Sequence, residues 1–325
     1  MRVVVFGAGG VGGTIAGRLH RAGAEVVAIA RGAHADAMRR EGLRLVTPDG
    51  DWRLRVPVAA HPKDLDWRQD DIVVLAVKSQ QSARALADLA AVAPETTVVC
   101  AQNGVANERL ALERFERVLG MVVWLPALHL EPGLVVAHGT GRSGVLDCGL
   151  YPQGSSDVAR ELASILDASG FSSRADVEVM RWKRAKLLTN LGNALEALCG
   201  RVRAGDIVRP LREEARACFA AAGLSCASPD EVRERLEGAY RMAEVPGFDR
   251  GGGSTWQSLQ RGSADVETAY LNGEIVALGR AHGVPTPVNA ALAEAMDVAL
   301  KEGAAAGSWS VDRLREFVAK RSAGG

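Results

Sequence analysis

Several broad classes of protein are excluded by what this sequence lacks. Neither sign of charge is in excess: 39 Lys and Arg balance 39 Asp and Glu. There is therefore no basic footprint for nucleic acid or for an anionic membrane surface. No apolar run reaches the roughly 20 residues that a spanning helix needs. The five cysteines (Cys100, Cys148, Cys199, Cys218 and Cys226) are scattered and form no C-x-x-C pair. They read as reduced thiols in a cytoplasmic protein, not as a disulfide framework or a zinc knuckle. The six histidines show no ligand spacing, so a metal site has no support. Internal repeats and low-complexity tracts are missing, and "MRVVVFGAGG" starts on a strand with no signal-peptide layout.

What remains is ordinary globular composition, 47% hydrophobic over 325 residues. That length points to two domains. Val3 to Phe6 reads as a buried strand, "GAGGVGG" as a turn, and "TIAGRLHRAG" as a helix ending near Gly23. "EVVAIAR" is a second strand, so the first 31 residues form a βαβ unit. "LRLVTPDGDWRLRVPV" predicts a hairpin at the sheet edge, turning at Pro48-Asp49-Gly50. "DIVVLAVK" and "TTVVCAQNG" are continuous apolar runs of the kind found in buried parallel strands. After about Arg174 the pattern becomes helical, with expected helices at 176–199, 207–222, 229–242, 255–282 (with breaks) and 289–302. "EVPGFDRGGGS" reads as a flexible loop. The fold class is α/β: a Rossmann-type dinucleotide-binding domain over 1–174, then an all-helical domain over 175–325.

Gly7, Gly9 and Gly12 form G-x-G-x-x-G between a strand and a helix. Gly7 permits the tight turn, Gly9 lets the backbone approach a pyrophosphate, and Gly12 lets helix and strand pack closely. Gly10 and Val11 complete the loop, whose helix N-terminus offers unpaired N–H groups. The second strand ends in Arg31, where an acidic residue would accept the ribose hydroxyls of NAD. A guanidinium suits a 2′-phosphate, so NADPH is the expected cofactor. Lys78 in "AVKSQ" and Asn103 in "QNG" follow the next two parallel strands. Ligands of open α/β sheets bind at those strand ends. In "KLLTNLGNAL", Lys186, Asn190 and Asn193 sit at i, i+4 and i+7 and share one face of a continuous helix, either a solvated face or a site for an anionic, hydroxylated molecule.

Taken in order along the chain, "GAGGVG", Arg31, "AVKSQ", "QNG", "WKRAKLLTN" and "SADVETAYLNGEIVALGRAHGVPTP" resemble the ketopantoate reductase (2-dehydropantoate 2-reductase) family. The resemblance implies NADPH-dependent reduction of a 2-oxo acid, with Lys186 as general acid and Glu267 engaging the substrate hydroxyl. It also implies that Asn190, and a hydroxyl from Ser254 or Thr255, hold the substrate. Asn103 would serve both substrate and cofactor. Glu267 also fits a carboxylate at a helix N-terminus, and Ser254 and Thr255 also fit helix caps. Two departures bear on the substrate. The family's second asparagine, four residues after the first, falls here on Ala194, with Asn193 about 100° away around a continuous helix. The loop before Glu267 reads "STWQSLQRG" in place of two serines and a Gln-Asp pair. Reduction of a 2-oxo acid or related ketone is expected, with ketopantoate and pantothenate biosynthesis left open. The alternatives are an opine, imine or 3-hydroxyacid type oxidoreductase, and a non-catalytic NADP(H) sensor. The expected partner is a small molecule, with no nucleic acid or membrane, and the long helical half is compatible with a homodimer.

Overall fold

The computed structural model describes residues 1–249, 251–260, 262 and 266–322. In chain order the elements begin β1 (Arg2–Phe6), α1 (Gly10–Arg21), β2 (Val26–Ile29), α2 (Gly32–Glu41), β3 (Leu43–Thr47), β4 (Gly50–Leu54) and β5 (Val58–Ala59). They continue with β6 (Asp71–Leu75), α3 (Ser82–Ala90), β7 (Thr97–Cys100), α4 (Asn107–Leu112), β8 (Val118–Met121), β9 (Ala127–Glu131) and β10 (Leu134–Ala137). β11 (Gly139–Thr140), β12 (Cys148–Leu150), α5 (Asp157–Ala168), α6 (Val179–Asn190), α7 (Asn193–Cys199), α8 (Gly205–Ala221) and α9 (Pro229–Leu236) follow. The last are β13 (Arg241–Met242), α10 (Ser254–Gln260), α11 (Thr268–His282), α12 (Pro287–Lys301) and α13 (Val311–Ser322). The chain divides into two compact units, Met1–Lys183 with Ser228–Asp249, and Arg184–Ala227 with Arg250–Gly325.

The first unit is built on a seven-stranded sheet of order β12-β8-β7-β6-β1-β2-β5. "RVVVF", "VVAI", "DIVVL" and "TVVC" are buried throughout. Runs of β-branched residues with no polar alternation suit strands covered on both faces. β1, β2, β5, β6, β7 and β8 pair in parallel, and β12 closes the edge antiparallel to β8. One face packs against Ile15, Leu19, Leu162, Leu166 and Phe171, the other against Leu86, Leu89, Ala111 and Phe115. From β1 the chain moves outward through β2 on one side and through β6, β7 and β8 on the other. The strand order therefore reverses between β1 and β6, the switch point at which such sheets bind ligands.

The expected hairpin forms as β3 and β4, but in a separate four-stranded sheet, β4-β3-β10-β9. α1 accounts for this second layer. A Cβ on Gly10 would lie 3.1 Å from Leu128, one on Gly13 2.7 Å from Val135, and one on Gly17 3.0 Å from Leu45. These three glycines make a flat helix face on which β9, β10 and β3 rest. The main sheet's edge beside β2 is instead the two-residue β5.

Residues 228–249, read from sequence as part of the helical half, return to the first unit. α9 stops at Leu236, and Gly238 follows at φ +68. β13 then pairs with β11, and Arg235 donates to both oxygens of the buried Asp147 at 2.7 and 2.6 Å. A left-handed glycine and a strand partner supplied by distant residues end the helix six residues before the expected Met242.

The second unit is helical. α12 packs against α7, α8, α11 and α13, with Leu292, Ala295, Met296 and Ala299 buried along it. Glu214 of α8 caps its N-terminus, accepting from Val288 N at 2.8 Å and Asn289 N at 3.0 Å. The single helix expected over 176–199 is two, α6 and α7, interrupted at Leu191 and Gly192. The carbonyls released there have other partners. Arg212 Nε donates to Leu188 O at 3.2 Å and Asn272 Nδ2 to Leu191 O at 3.1 Å. Glycine weakens the ladder locally, and side chains from α8 and α11 satisfy what it leaves open.

Candidate functional site

In the first unit the loops after β1, β2, β6 and β7 leave the same edge of the sheet. The glycine turn after β1 is built from close approaches. Gly7 has φ +102, and a Cβ on it would lie 2.7 Å from Val77 N. A Cβ on Gly12 would lie 1.9 Å from Gly7 O. Gly9 differs, because nothing stands within 4 Å of its Cβ position. Its missing side chain therefore answers no packing need. An open approach at the second glycine, beside a helix N-terminus with no side-chain cap, fits a pyrophosphate. Val11, the next residue but one, is half-buried at the start of α1.

The turn is held from α2. His34 Nε2 donates to Ala8 O at 2.8 Å, and its Nδ1 accepts from Gly133 N at 2.9 Å. That pattern requires a neutral ring, and burial holds the imidazole below its ordinary value. Arg31 is the exposed N-cap residue of α2, two residues beyond β2. Its guanidinium makes no ion pair among the described residues. Lys78 and Asn103 are half-buried in the turns after β6 and β7.

Behind those turns lies a polar network that sequence reasoning missed. Gln102 Nε2 donates to Ser82 Oγ at 2.8 Å, Ser82 Oγ to Asn107 Oδ1 at 2.7 Å, and Asn107 Nδ2 to Ser79 Oγ at 3.0 Å. The Lys183 ammonium donates to the carbonyls of Cys100, Gln102 and Met121 at 3.3, 2.9 and 3.1 Å. Glu108 Oε1 lies 2.7 Å from it, and the two side chains are 2% and 0% exposed. Burial, and then the Glu108 carboxylate, push the Cys100 thiol well above its usual range. "WKRAK" did show two lysines, but spacing cannot tell which one an interior will enclose.

The second unit carries the other predicted residues. Lys186, half-buried, and Asn190, buried, stand one turn apart on α6. Thr189 Oγ donates back to Lys186 O at 2.7 Å. Asn193 opens α7, beyond the interruption. The continuous face expected for all three therefore holds for Lys186 and Asn190 only. The 100° offset argued for Asn193 lapses with the helix it assumed. Ser254 is exposed at the start of α10, and Thr255 is buried inside it, so Thr255 is no cap. Glu267 is the N-cap residue of α11, and its side chain makes no capping hydrogen bond. No group of His, Cys, Asp and Glu among the described residues could hold a metal ion.

Two family models match, described as ketopantoate reductase PanE/ApbA over residues 3–149 and its C-terminal counterpart over 176–300. The chain belongs to the ketopantoate reductase family. A 2-dehydropantoate 2-reductase of Archaeoglobus fulgidus is 30% identical over 303 residues, covering 90% of this chain and 95% of that one. One from Pyrococcus horikoshii is 25% identical, covering 89% and 94%. A crystal structure of a PanE/ApbA family ketopantoate reductase from Ralstonia eutropha matches with a TM-score of 0.78 and 30% identity, covering 93% and 99%. D-mandelate dehydrogenase, solved with NADH and anilino(oxo)acetate, shares the fold at a TM-score of 0.80 and 21% identity, covering 93% and 99%. As a ketopantoate reductase family member the chain is an oxidoreductase of the 2-dehydropantoate 2-reductase type. No helix among its described residues is long and apolar enough to cross a membrane.

Proposed function

We propose that the protein reduces a 2-oxo acid, ketopantoate or a close relative, to the 2-hydroxy acid with NADPH. The observation that carries this reading is the pairing of half-buried Lys186 with buried Asn190 one turn apart on α6, inside the matched C-terminal family region. Reduced dinucleotide, when bound, supplies the hydride. The glycine turn receives its pyrophosphate, Arg31 its 2′-phosphate, and Lys78 and Asn103 the remainder of the molecule at the strand ends. Negative charge grows on the ketone oxygen as its carbon is reduced. The Lys186 ammonium stabilises that charge and donates the proton. Asn190 donates to the substrate's oxygens, with Asn193 and the Ser254 or Thr255 hydroxyl beside it in the reading. Glu267 accepts from the substrate's hydroxyl.

The test is NADPH oxidation across a panel of 2-oxo acids that includes ketopantoate, with dissociation constants measured in parallel. Turnover of a 2-oxo acid is expected, and Lys186→Ala should lower kcat by ~10²–10⁴ while leaving NADPH affinity unchanged. Turnover confined to imines or 3-oxo acids would reassign the substrate class. Tight NADPH binding with no turnover of any carbonyl compound would make the protein a sensor.

A further inference from the structure

The polar network behind the strand-end turns has no counterpart in the chemistry proposed above, and it is expensive. Lys183 and Glu108 are both withdrawn from water. A buried pair of this kind is often no more stabilising than apolar side chains of similar volume, so stability alone is a weak reason for it. Its geometry suggests another reason. The Lys183 ammonium donates to three backbone carbonyls, at the last residue of β7, the last residue of β8 and Gln102. Gln102 immediately precedes Asn103, and its own side chain is tied through Ser82 and Asn107 to Ser79. Ser79 immediately follows Lys78. One network thus grips both turns at the residues flanking the two polar groups assigned to the cofactor and substrate. Glu108 supplies the counter-charge from α4.

We infer that the Lys183–Glu108 pair and the Ser82–Asn107–Gln102 chain set the positions of Asn103 and Lys78, which makes Lys183 a positioning residue with a task separate from that of Lys186. The inference rests on the proposed function, because it gives Asn103 a role in turnover. Two lysines three residues apart on α6 then divide the work. Lys183 spends its charge holding backbone, and Lys186 spends its charge on the substrate.

The test compares Lys183→Met with Glu108→Gln in one chain (both charges removed, with Met one atom shorter than Lys), Ser82→Ala, Asn103→Ala, and each of the first two combined with Asn103→Ala. Melting temperature, NADPH dissociation constant, kcat and KM are measured for all. Amide exchange is followed at residues 101–104. The pair variant should keep a cooperative melt, exchange faster at those amides, and lose about 10- to 100-fold in kcat/KM, the scale of a misplaced contact. Combining it with Asn103→Ala should cost little beyond Asn103→Ala alone. Ser82→Ala, which removes one hydroxyl and spares the charges, should show the same pattern at smaller size even if the pair variant does not fold. Losses that multiply independently would overturn the inference, as would wild-type kinetics in both network variants while Asn103→Ala is impaired. Wild-type kinetics in Asn103→Ala itself would remove that residue from the proposed function and the positioning inference with it.

Discussion

Among single residues, the glycines of the first turn separate into two kinds. A methyl on Gly12 would overlap Gly7 O, whereas a methyl on Gly9 meets nothing. Gly12→Ala should therefore lower thermal stability through overpacking, by about 1–3 kcal/mol. Gly9→Ala should melt like the parent yet bind dinucleotide less well, because the approach is blocked only when a ligand is there. Calorimetry and a cofactor titration on both variants check this, and equal melting losses would contradict the distinction. Arg31 makes the complementary case. Its exposed guanidinium is uncommitted to any ion pair among the described residues. Arg31→Ala should weaken NADPH by about 1.5–3 kcal/mol, the range for hydrogen bonds to a charged group. NADH should be nearly unaffected, and equal losses for the two would take the 2′-phosphate away from Arg31.

Element by element, glycine again reads differently in sequence and in structure. The run Gly251 to Gly253 suggests freedom of movement, but its surroundings suggest close contact. A Cβ on Gly252 would lie 2.4 Å from Trp256 Cγ, and one on Gly307 2.8 Å from the far edge of the same indole. Gly253 N donates to Glu196 Oε2 at 3.0 Å. The segment is shaped to receive a tryptophan and to present Ser254. Gly252→Ala should cost about 1–3 kcal/mol in urea denaturation and shift the tryptophan emission. A variant with unchanged stability would restore the reading of a flexible loop. α6 and α7 teach a related lesson. The 3.6-residue period is identical on both sides of Leu191 and Gly192, so the pattern alone runs through a break that Arg212 and Asn272 make affordable.

For the molecule as a whole, the return of residues 228–249 to the first unit is held partly by charge. Both carboxylate oxygens of Glu231 accept from Arg181 Nη2, at 2.6 and 2.7 Å, and Oε2 also accepts from Ser228 N at 2.8 Å in a capping box. The Arg181 guanidinium first, then the Ser228 backbone, draw its carboxyl from the ordinary 4.5 down to about 2. A carboxyl depressed on folding stabilises fully above its unfolded value, and that stabilisation is lost as pH falls through the folded one. The contribution should therefore be intact at pH 5 and vanish between about 4.5 and about 2. Urea midpoints of the parent and of Glu231→Gln, followed across that window, should converge as pH drops. A gap that stays constant with pH would show the pair to be indifferent to folding.

How much could be read beforehand follows from the range of the forces involved. Local rules were enough for the β1–turn–α1 unit, the buried parallel strands, the β3–β4 hairpin and the change to helices. Strand burial, turn chemistry and helical period are written over stretches of about ten residues. The ordered motifs also identified the family, and put Lys186 and Asn190 on one helical face. Tertiary structure alone decided that the hairpin joins a second sheet on the glycine face of α1, that residues 228–249 rejoin the first unit, and that the helix through Asn190 stops before Asn193. It alone decided which lysine of "WKRAK" is enclosed. Each of these depends on a partner distant in sequence: Val135 for Gly13, Asp147 for Arg235, Asn272 for Leu191, Glu108 for Lys183. Burial and charge pairing act through space, and one chain read residue by residue carries no record of which distant side chain will arrive.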